Sequence, residues 1–176
     1  MKKLILSAFA LCAFTAVSAQ DNLTYGVKAA VNFSNLSGVK NPETGKDADG
    51  KTGFAFGAFA DYTVNETFHV QAEALYSMEG ADKAKLDYLR IPVLAKYYVM
   101  DKLAIMAGPS FGFKIGDEQT TKDLKSMDIA LAFGAAYDIT ENIFVDARYN
   151  AGMTGIQDKG DDIKTSNFQI GVGYKF

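Results

Sequence analysis

The amino-acid sequence predicts an all-β protein, an eight-stranded antiparallel up-and-down transmembrane β-barrel. Three observations lead to this fold class. Eight segments of about ten or more residues alternate apolar and polar side chains, which is the period of a strand with one apolar face. Tight turns alternate with longer polar connections, as they do in a meander. Aromatic residues of the apolar faces cluster near the strand ends.

The alternation is clearest at the end of the chain, which reads NFQIGVGYKF. Its apolar side chains are Phe168, Ile170, Val172, Tyr174 and Phe176. The positions between them are polar or carry no side chain, and they are Asn167, Gln169, Gly171, Gly173 and Lys175. Because side chains of a strand alternate between two faces, this segment is predicted as the closing strand.

Seven earlier segments repeat this pattern and complete the predicted barrel. They lie at about 23–34, 53–64, 68–78, 88–99, 103–114, 128–139 and 143–153. Their apolar faces run, at every second residue, over Tyr25–Phe33, Phe54–Tyr62, Phe68–Tyr76, Leu89–Tyr97, Leu103–Phe113, Ile129–Tyr137 and Val145–Tyr149. Phe59 is an apolar exception on a polar face. Pro92 and Pro109 lack a donor inside predicted strands, so we expect a bulge or a missing ladder bond at each.

The connections between these strands are of two kinds that alternate along the chain. The tight ones are NET at 65–67, DK at 101–102 and TEN at 140–142. The longer ones are SNLSGVKNPETGKDADGK, EGADKAK, IGDEQTTKDLKS and GIQDKGDDIK. A meander with an even number of strands therefore has both termini and all tight turns at one end. In outer-membrane barrels that end faces the periplasm and the long loops face outside.

The aromatic residues decide which face meets lipid. A lipocalin-like soluble barrel would turn its apolar faces inward, and composition alone does not separate it from a membrane barrel. On the apolar faces, tyrosines mark the tight-turn end at positions 25, 62, 97, 137 and 174. Aromatic residues mark the other end at positions 33, 54, 76, 113 and 168. Two aromatic girdles around an aliphatic belt match the two membrane interfaces, so the apolar faces are predicted to face lipid.

The first residues predict export. Lys2 and Lys3 precede the apolar run LILSAFALCAFTAV, and VSA offers small residues for cleavage after Ala19. We therefore expect a signal peptide at 1–19 and one outer-membrane β-barrel domain at 20–176. Cleavage removes Cys12, the single cysteine, so no cysteine-ligated metal is expected, and His69 is the only histidine.

Cleavage also leaves 16 basic residues against 21 acidic ones, a net charge of −5. This acidic balance makes nucleic acid an unsuitable partner. We expect no cofactor.

The polar faces carry six cations and five anions that would point into the lumen. Counting from the tight-turn end places six of these residues at similar depths, namely Lys28, Asp61, Glu73, Lys96, Asp146 and Arg148. A lone buried charge costs several kcal/mol, so we expect these residues to form one network of salt bridges that plugs the lumen.

One apparent catalytic constellation fails on geometry. His69, Glu73 and Ser77 share the inward face of the third strand. At about 3.3 Å per residue, His69 and Ser77 would lie ~26 Å apart, which excludes a hydrogen-bonded triad. We therefore predict that the protein is not an enzyme. KDADGK and DKGDD resemble calcium loops only loosely, since neither has the full ligand set.

The segment DYLRIPVLAKYY at 87–98 resembles the PorT-like outer-membrane β-barrel family of Bacteroidetes. The resemblance implies an integral outer-membrane barrel, inserted by the outer-membrane assembly machinery through a terminal strand whose signal would be Tyr174 and Phe176. Family members differ in function, and some are associated with secretion. We expect a structural or interaction role through extracellular loops, with an unidentified loop partner. The alternatives are a narrow transporter or secretion-system accessory barrel and a lipid-modifying outer-membrane enzyme.

Overall fold

The computed structural model describes residues 22–37, 51–81, 84–115, 127–153 and 164–176. Eight strands form a closed barrel in which each strand pairs with its neighbours in the chain. The strands are β1 (Leu23–Ser37), β2 (Lys51–Thr63), β3 (Phe68–Ala81), β4 (Ala84–Met100), β5 (Leu103–Lys114), β6 (Met127–Asp138), β7 (Ile143–Gly152) and β8 (Lys164–Lys175). This architecture confirms the predicted fold class. The predicted signal peptide at 1–19 lies outside the described residues.

All eight pairings are antiparallel, including the seam between the first and last strands. The β1–β8 ladder runs from the pair Gly26↔Lys175 to the pair Ser37↔Lys164. Beyond its end, the backbone N–H of Phe176 donates to the carbonyl oxygen of Tyr25 at 2.8 Å. The closing strand is therefore bonded to the first strand as far as the last residue. Within the described residues, no helix is long and apolar enough to cross a membrane.

The distribution of side chains is inverted relative to a water-soluble protein. Charged residues such as Lys28, Glu73 and Arg148 are buried inside the barrel. Large apolar residues point outward, and Phe54 and Phe56 are 58% and 53% exposed. Soluble proteins bury such residues and seldom bury charges, whereas a barrel surrounded by lipid requires this arrangement. The apolar faces therefore form the outer wall.

One predicted connection is wrong. EGADKAK was expected to be a longer loop, but β3 continues to Ala81 and β4 begins at Ala84. The prediction assigned a strand only where the side chains alternate between an apolar and a polar face, and EGADKAK has no such alternation. Where a hairpin rises beyond the membrane, water surrounds it and no apolar face is needed. The sequence pattern therefore marks only the part of this hairpin that crosses the lipid. The other three predicted long connections lie mainly outside the described residues.

The two strand prolines coincide with gaps in the ladders of β4. On the β3 side, pairing is interrupted between Ala72↔Val93 and Leu75↔Arg90, a gap that contains Pro92. On the β5 side it is interrupted between Pro92↔Ser110 and Ala95↔Ala107, a gap that contains Pro109.

The register is the same on both sides of each gap, so these are missing ladder pairs and not bulges. The register shift in β4 lies instead between Tyr98 and Met100.

The seam generates a prediction about assembly. Deleting Phe176 removes the hydrogen bond to Tyr25 and the ring contact with Tyr174, whose centroid lies 5.6 Å away. Together these interactions amount to about 1–2 kcal/mol. We expect a lower folded fraction, measured as heat-modifiable migration on gels. Phe176→Tyr, which keeps the ring and the backbone bond, is the matched control. An unchanged folded yield after deletion would contradict a role of the terminal residue in closure.

Candidate functional site

A cluster of four charged side chains fills the middle of the lumen. Lys28 comes from β1, Glu73 from β3, and Asp146 and Arg148 from β7. Arg148 donates through Nη1 to Glu73 Oε2 at 2.9 Å and through Nη2 to Glu73 Oε1 at 2.6 Å. Because β3 and β7 are four strands apart in a barrel of eight, this bidentate pair joins opposite walls. We call these four residues the central cluster.

Lys28 and Asp146 complete the central cluster. Lys28 Nζ donates to Asp146 Oδ2 at 2.6 Å and lies 3.6 Å from Glu73 Oε1. Arg148 Nε donates to the same Asp146 oxygen at 2.9 Å. Two cations thus face two anions, and the side chains of Lys28, Glu73 and Asp146 have no solvent exposure. Such pairs are held by mutual neutralisation, because each charge alone would cost several kcal/mol in this position.

Glycines on the inward face make room for the central cluster. Lys28 is paired on one side with Gly57 and on the other with Gly173. A Cβ at Gly171 would lie 2.5 Å from Asp146 Oδ1 and 2.7 Å from Lys28 Cε. A Cβ at Gly134 would lie 2.7 Å from the Cα of Arg148. The inward glycines of the closing strand are therefore the sequence signal that large side chains from other strands occupy this level.

A second ionic group lies nearer the tight-turn end. Asp61 Oδ2 accepts from Lys96 Nζ at 3.1 Å, and Asp61 Oδ1 lies 2.8 Å from His69 Nδ1. Asp138 accepts from Lys175 Nζ at 2.7 Å and from the Tyr98 hydroxyl at 2.9 Å. Residues of four strands, β2, β3, β4 and β6, and the end of β8 therefore meet here.

The six residues predicted as one network thus fall into two groups, with Asp61 and Lys96 apart from the other four. An apolar layer separates them, formed by Phe59, Leu94, Met106, Ala132, Ala136 and Phe144. Phe59 and Phe144 meet edge to face with centroids 5.3 Å apart, and Lys96 Nζ lies 5.4 Å from the Phe144 centroid. Counting residues from the turns ignored the tilt of the strands, which staggers equal counts to different depths.

A layer of uncharged polar side chains lies toward the long-loop end, and sequence reasoning did not identify it. Gln169 Nε2 donates to Asn32 Oδ1 at 2.6 Å, and Asn32 Nδ2 donates to Ser77 Oγ at 2.8 Å. Asn150 Nδ2 donates to Asn167 Oδ1 at 2.6 Å. All five residues lie on the polar face of a strand whose sequence alternates apolar and polar positions, so their inward direction could be predicted. Their hydrogen-bond partners could not be predicted, because these depend on the stagger between strands.

Residues that suggested a catalytic triad contact three different partners. His69 pairs with Asp61, Glu73 with Arg148, and Ser77 with Asn32. Among the residues that the structure describes, no group of three or more His, Cys, Asp or Glu side chains is arranged to hold a metal ion. The two loosely calcium-like segments lie almost entirely outside those residues. The chemistry of the described lumen is therefore that of charge pairing and packing.

Three buried acceptor oxygens beside the central cluster have no hydrogen-bond donor among the residues that the structure describes. They are Asp146 Oδ1, Gln71 Oε1 and Gln169 Oε1. Gln71 donates through its amide nitrogen to Glu73 at 2.7 Å, so its oxygen lies next to the cluster. Each of these oxygens therefore has acceptor capacity that the described side chains do not use.

Comparison with known proteins agrees with this geometry. The family model described as "Outer membrane protein beta-barrel domain" matches residues 4–176. No curated protein matches the chain in sequence. The attachment invasion locus protein Ail of Yersinia pestis is 16% identical, with a TM-score of 0.56 over 90% of this chain and 100% of that one.

Two further structures share the fold. Neisserial surface protein A is also 16% identical, with a TM-score of 0.56 over 88% of this chain and 97% of that one. A de novo designed transmembrane β-barrel is 14% identical, with a TM-score of 0.52 over 89% of this chain and 98% of that one. At these identities the likeness concerns the fold alone.

The central cluster generates a prediction about stability. Glu73→Ala leaves Arg148 and Lys28 short of an anion in a dry position, at an expected cost of about 3–5 kcal/mol in the free energy of unfolding, less if water enters. Urea unfolding of the refolded protein in lipid vesicles measures this change. Glu66→Ala is the matched control, because Glu66 is exposed in a tight turn. A loss no larger than that of the control would contradict the role of the cluster.

Proposed function

Because the chain belongs to the outer-membrane protein β-barrel domain family, we propose that it is a closed barrel with a structural or interaction role and no open channel. The observation that carries this proposal is the Arg148–Glu73 pair, which joins opposite walls of the barrel. A barrel of eight strands has an interior just wide enough for its own side chains. Here large, fully buried side chains occupy that interior.

The layers of the lumen support the same conclusion. A solute that enters from the tight-turn end first meets the group around Asp61, then the apolar layer with Phe59 and Phe144, and then the central cluster. Passage would separate buried ion pairs, and each broken pair leaves charges in a site of low polarity. Recognition is therefore assigned to the long-loop end, which we propose faces outside.

Export and assembly complete the proposal. The first 19 residues would be the signal peptide, and Tyr174 with Phe176 would be the C-terminal signal for the outer-membrane assembly machinery. Both side chains face outward, and Phe176 is 76% exposed. The strand DYLRIPVLAKYY supports placing the chain in the PorT-like group within the wider family. A transporter or secretion accessory and a lipid-modifying enzyme are the alternatives, and no contact described above favours either.

Electrical recording tests the closed lumen. Planar bilayers containing the refolded protein should show no steady open channel, since the buried pairs leave no continuous water path. Heat-modifiable migration of the same preparation serves as the control that the barrel is folded. A stable, ion-selective conductance from the folded protein would overturn the proposal and favour the narrow-transporter alternative.

A further inference from the structure

A groove crosses the outer wall at the seam where the barrel closes. It has a volume of about 530 Å³ and is lined by nine residues from β1, β2, β7 and β8. Val27, Phe56 and Val172 of this lining are 48%, 53% and 49% exposed, so the groove is open to the surroundings of the barrel. Lys28 also belongs to the lining, but its side chain has no solvent exposure because it lies in the central cluster. The open surface of the groove is therefore apolar, and it lies on the face that meets lipid.

The floor of the groove is formed by a short side chain. Ala29 is an exposed residue in the middle of β1, paired with Phe56 of β2 on one side and with Val172 of β8 on the other. Paired side chains lie on the same face of a sheet, about 5 Å apart. Because the alanine is shorter than both of its partners, the outer surface is lowest along β1 at this level.

Two pairs of aromatic rings form the sides of the groove. On the β2 side, the Phe56 ring lies 5.5 Å from the ring of Tyr76, whose hydroxyl donates to Asp87 Oδ2 at 2.9 Å. On the β8 side, the Tyr174 ring lies 5.6 Å from the ring of Phe176. Such ring pairs are favourable arrangements, so both sides of the groove are held in place before anything binds.

The groove begins at one membrane interface and extends to the depth of the hydrocarbon. Tyr174 belongs to the tyrosine girdle at the tight-turn end, while Phe33 and Phe168 belong to the girdle at the other end. Ala29 and Val172 lie between the two girdles, in the aliphatic belt. The bilayer core contains no water, so only acyl chains and the walls of other membrane proteins reach a barrel at this depth.

We propose that this groove binds one acyl chain of a phospholipid whose headgroup lies at the tyrosine girdle of the tight-turn end. An acyl chain is apolar, narrow and flexible, so it can follow the concave surface down to Ala29. The Tyr174 ring suits the mouth of the groove, because an amphipathic ring gains at the headgroup level. The volume lies within the range of about 300–1,000 Å³ that is usual for small-molecule pockets. This inference goes beyond the proposed interaction role and does not depend on it.

A second copy of the chain fits the groove less well than an acyl chain. A stable interface between proteins takes about 20–30 residues on each side, whereas nine residues line the groove. The outer wall of a barrel is also convex. A second wall would contact the sides at Phe56 and Tyr174 and leave the floor at Ala29 empty.

A lipid bound in this groove would stabilise the closed barrel. The groove spans the ladders β7–β8, β8–β1 and β1–β2, so it exists only when the closing strand is paired with the first strand. A ligand that binds only the closed form stabilises that form by mass action. The site would therefore fix one lipid beside the seam, while the lipids around the rest of the wall exchange freely.

A substitution on the floor of the groove separates this site from the rest of the wall. Ala29→Phe fills the floor with an apolar side chain that lipid tolerates. Ala95→Phe is the matched control, because Ala95 is also an exposed alanine and lies on β4, opposite β8. The refolded protein in detergent micelles would be titrated with a phospholipid that carries a spin label on its acyl chain. Paramagnetic broadening of methyl NMR signals then measures where the lipid binds and how tightly.

In the unmodified protein, broadening of the Ala29 and Val172 methyl signals should reach half its maximum at a lipid concentration about tenfold or more below that for Ala95. Ala29→Phe should raise the half-maximum for Val172 by about tenfold or more, while Ala95→Phe should leave it unchanged. Heat-modifiable migration checks that each variant is folded.

Equal half-maxima for Ala29 and Ala95 in the unmodified protein would overturn the inference, because the groove would then meet lipid only as the rest of the wall does. An unchanged half-maximum for Val172 in folded Ala29→Phe would overturn it as well. A dimer that Ala29→Phe abolishes would assign the groove to a second copy instead of a lipid. None of these results would affect the closed lumen, which the bilayer recording tests separately.

Discussion

Charges enclosed in the lumen cannot be isolated, and this constraint shapes the structure more than any other. Lys28, Glu73, Asp146 and Arg148 neutralise one another only when β1, β3 and β7 are all in place. The cluster can therefore form only when the sheet has closed into a barrel, because its ion pairs join strands on opposite walls. Its ions also need space, which the glycines of β8 and β6 provide. The same contacts that permit the charges to be buried fill the middle of the lumen with side chains.

The pairing of the backbone in the barrel wall follows from its two surroundings, lipid around the wall and water beyond the membrane interface. Lipid outside requires every backbone group of the wall to be paired, which the closed ladder provides except near Pro92 and Pro109. Above the membrane interface this requirement ends, so the β3–β4 hairpin can continue there without an apolar face. The proposed interaction role, unlike a transport role, is compatible with a lumen filled by buried side chains.

The fold was largely predictable because strand period, turn length and aromatic position are local properties of the sequence. The strand from Leu103 to Lys114 was predicted with the bounds that it has. The inward direction of Lys28 and Arg148 also followed from alternation. The ion-pair partners of these residues did not follow from alternation, because the stagger between strands decides which inward residues meet. Asp61 and Lys96 therefore form a group separate from the central cluster, and the polar hairpin above Ser77 was mistaken for a loop.

A double-mutant cycle between Glu73 and Arg148 tests the central claim most directly. The free energy of unfolding in lipid vesicles would be measured for the unmodified protein, Glu73→Gln, Arg148→Met and the double variant. If the two side chains hold opposite walls together, their coupling energy should be at least about 1 kcal/mol, since close charge pairs with little exposure reach such values. Additive effects, with a coupling below about 0.3 kcal/mol, would contradict a pair that closes the lumen.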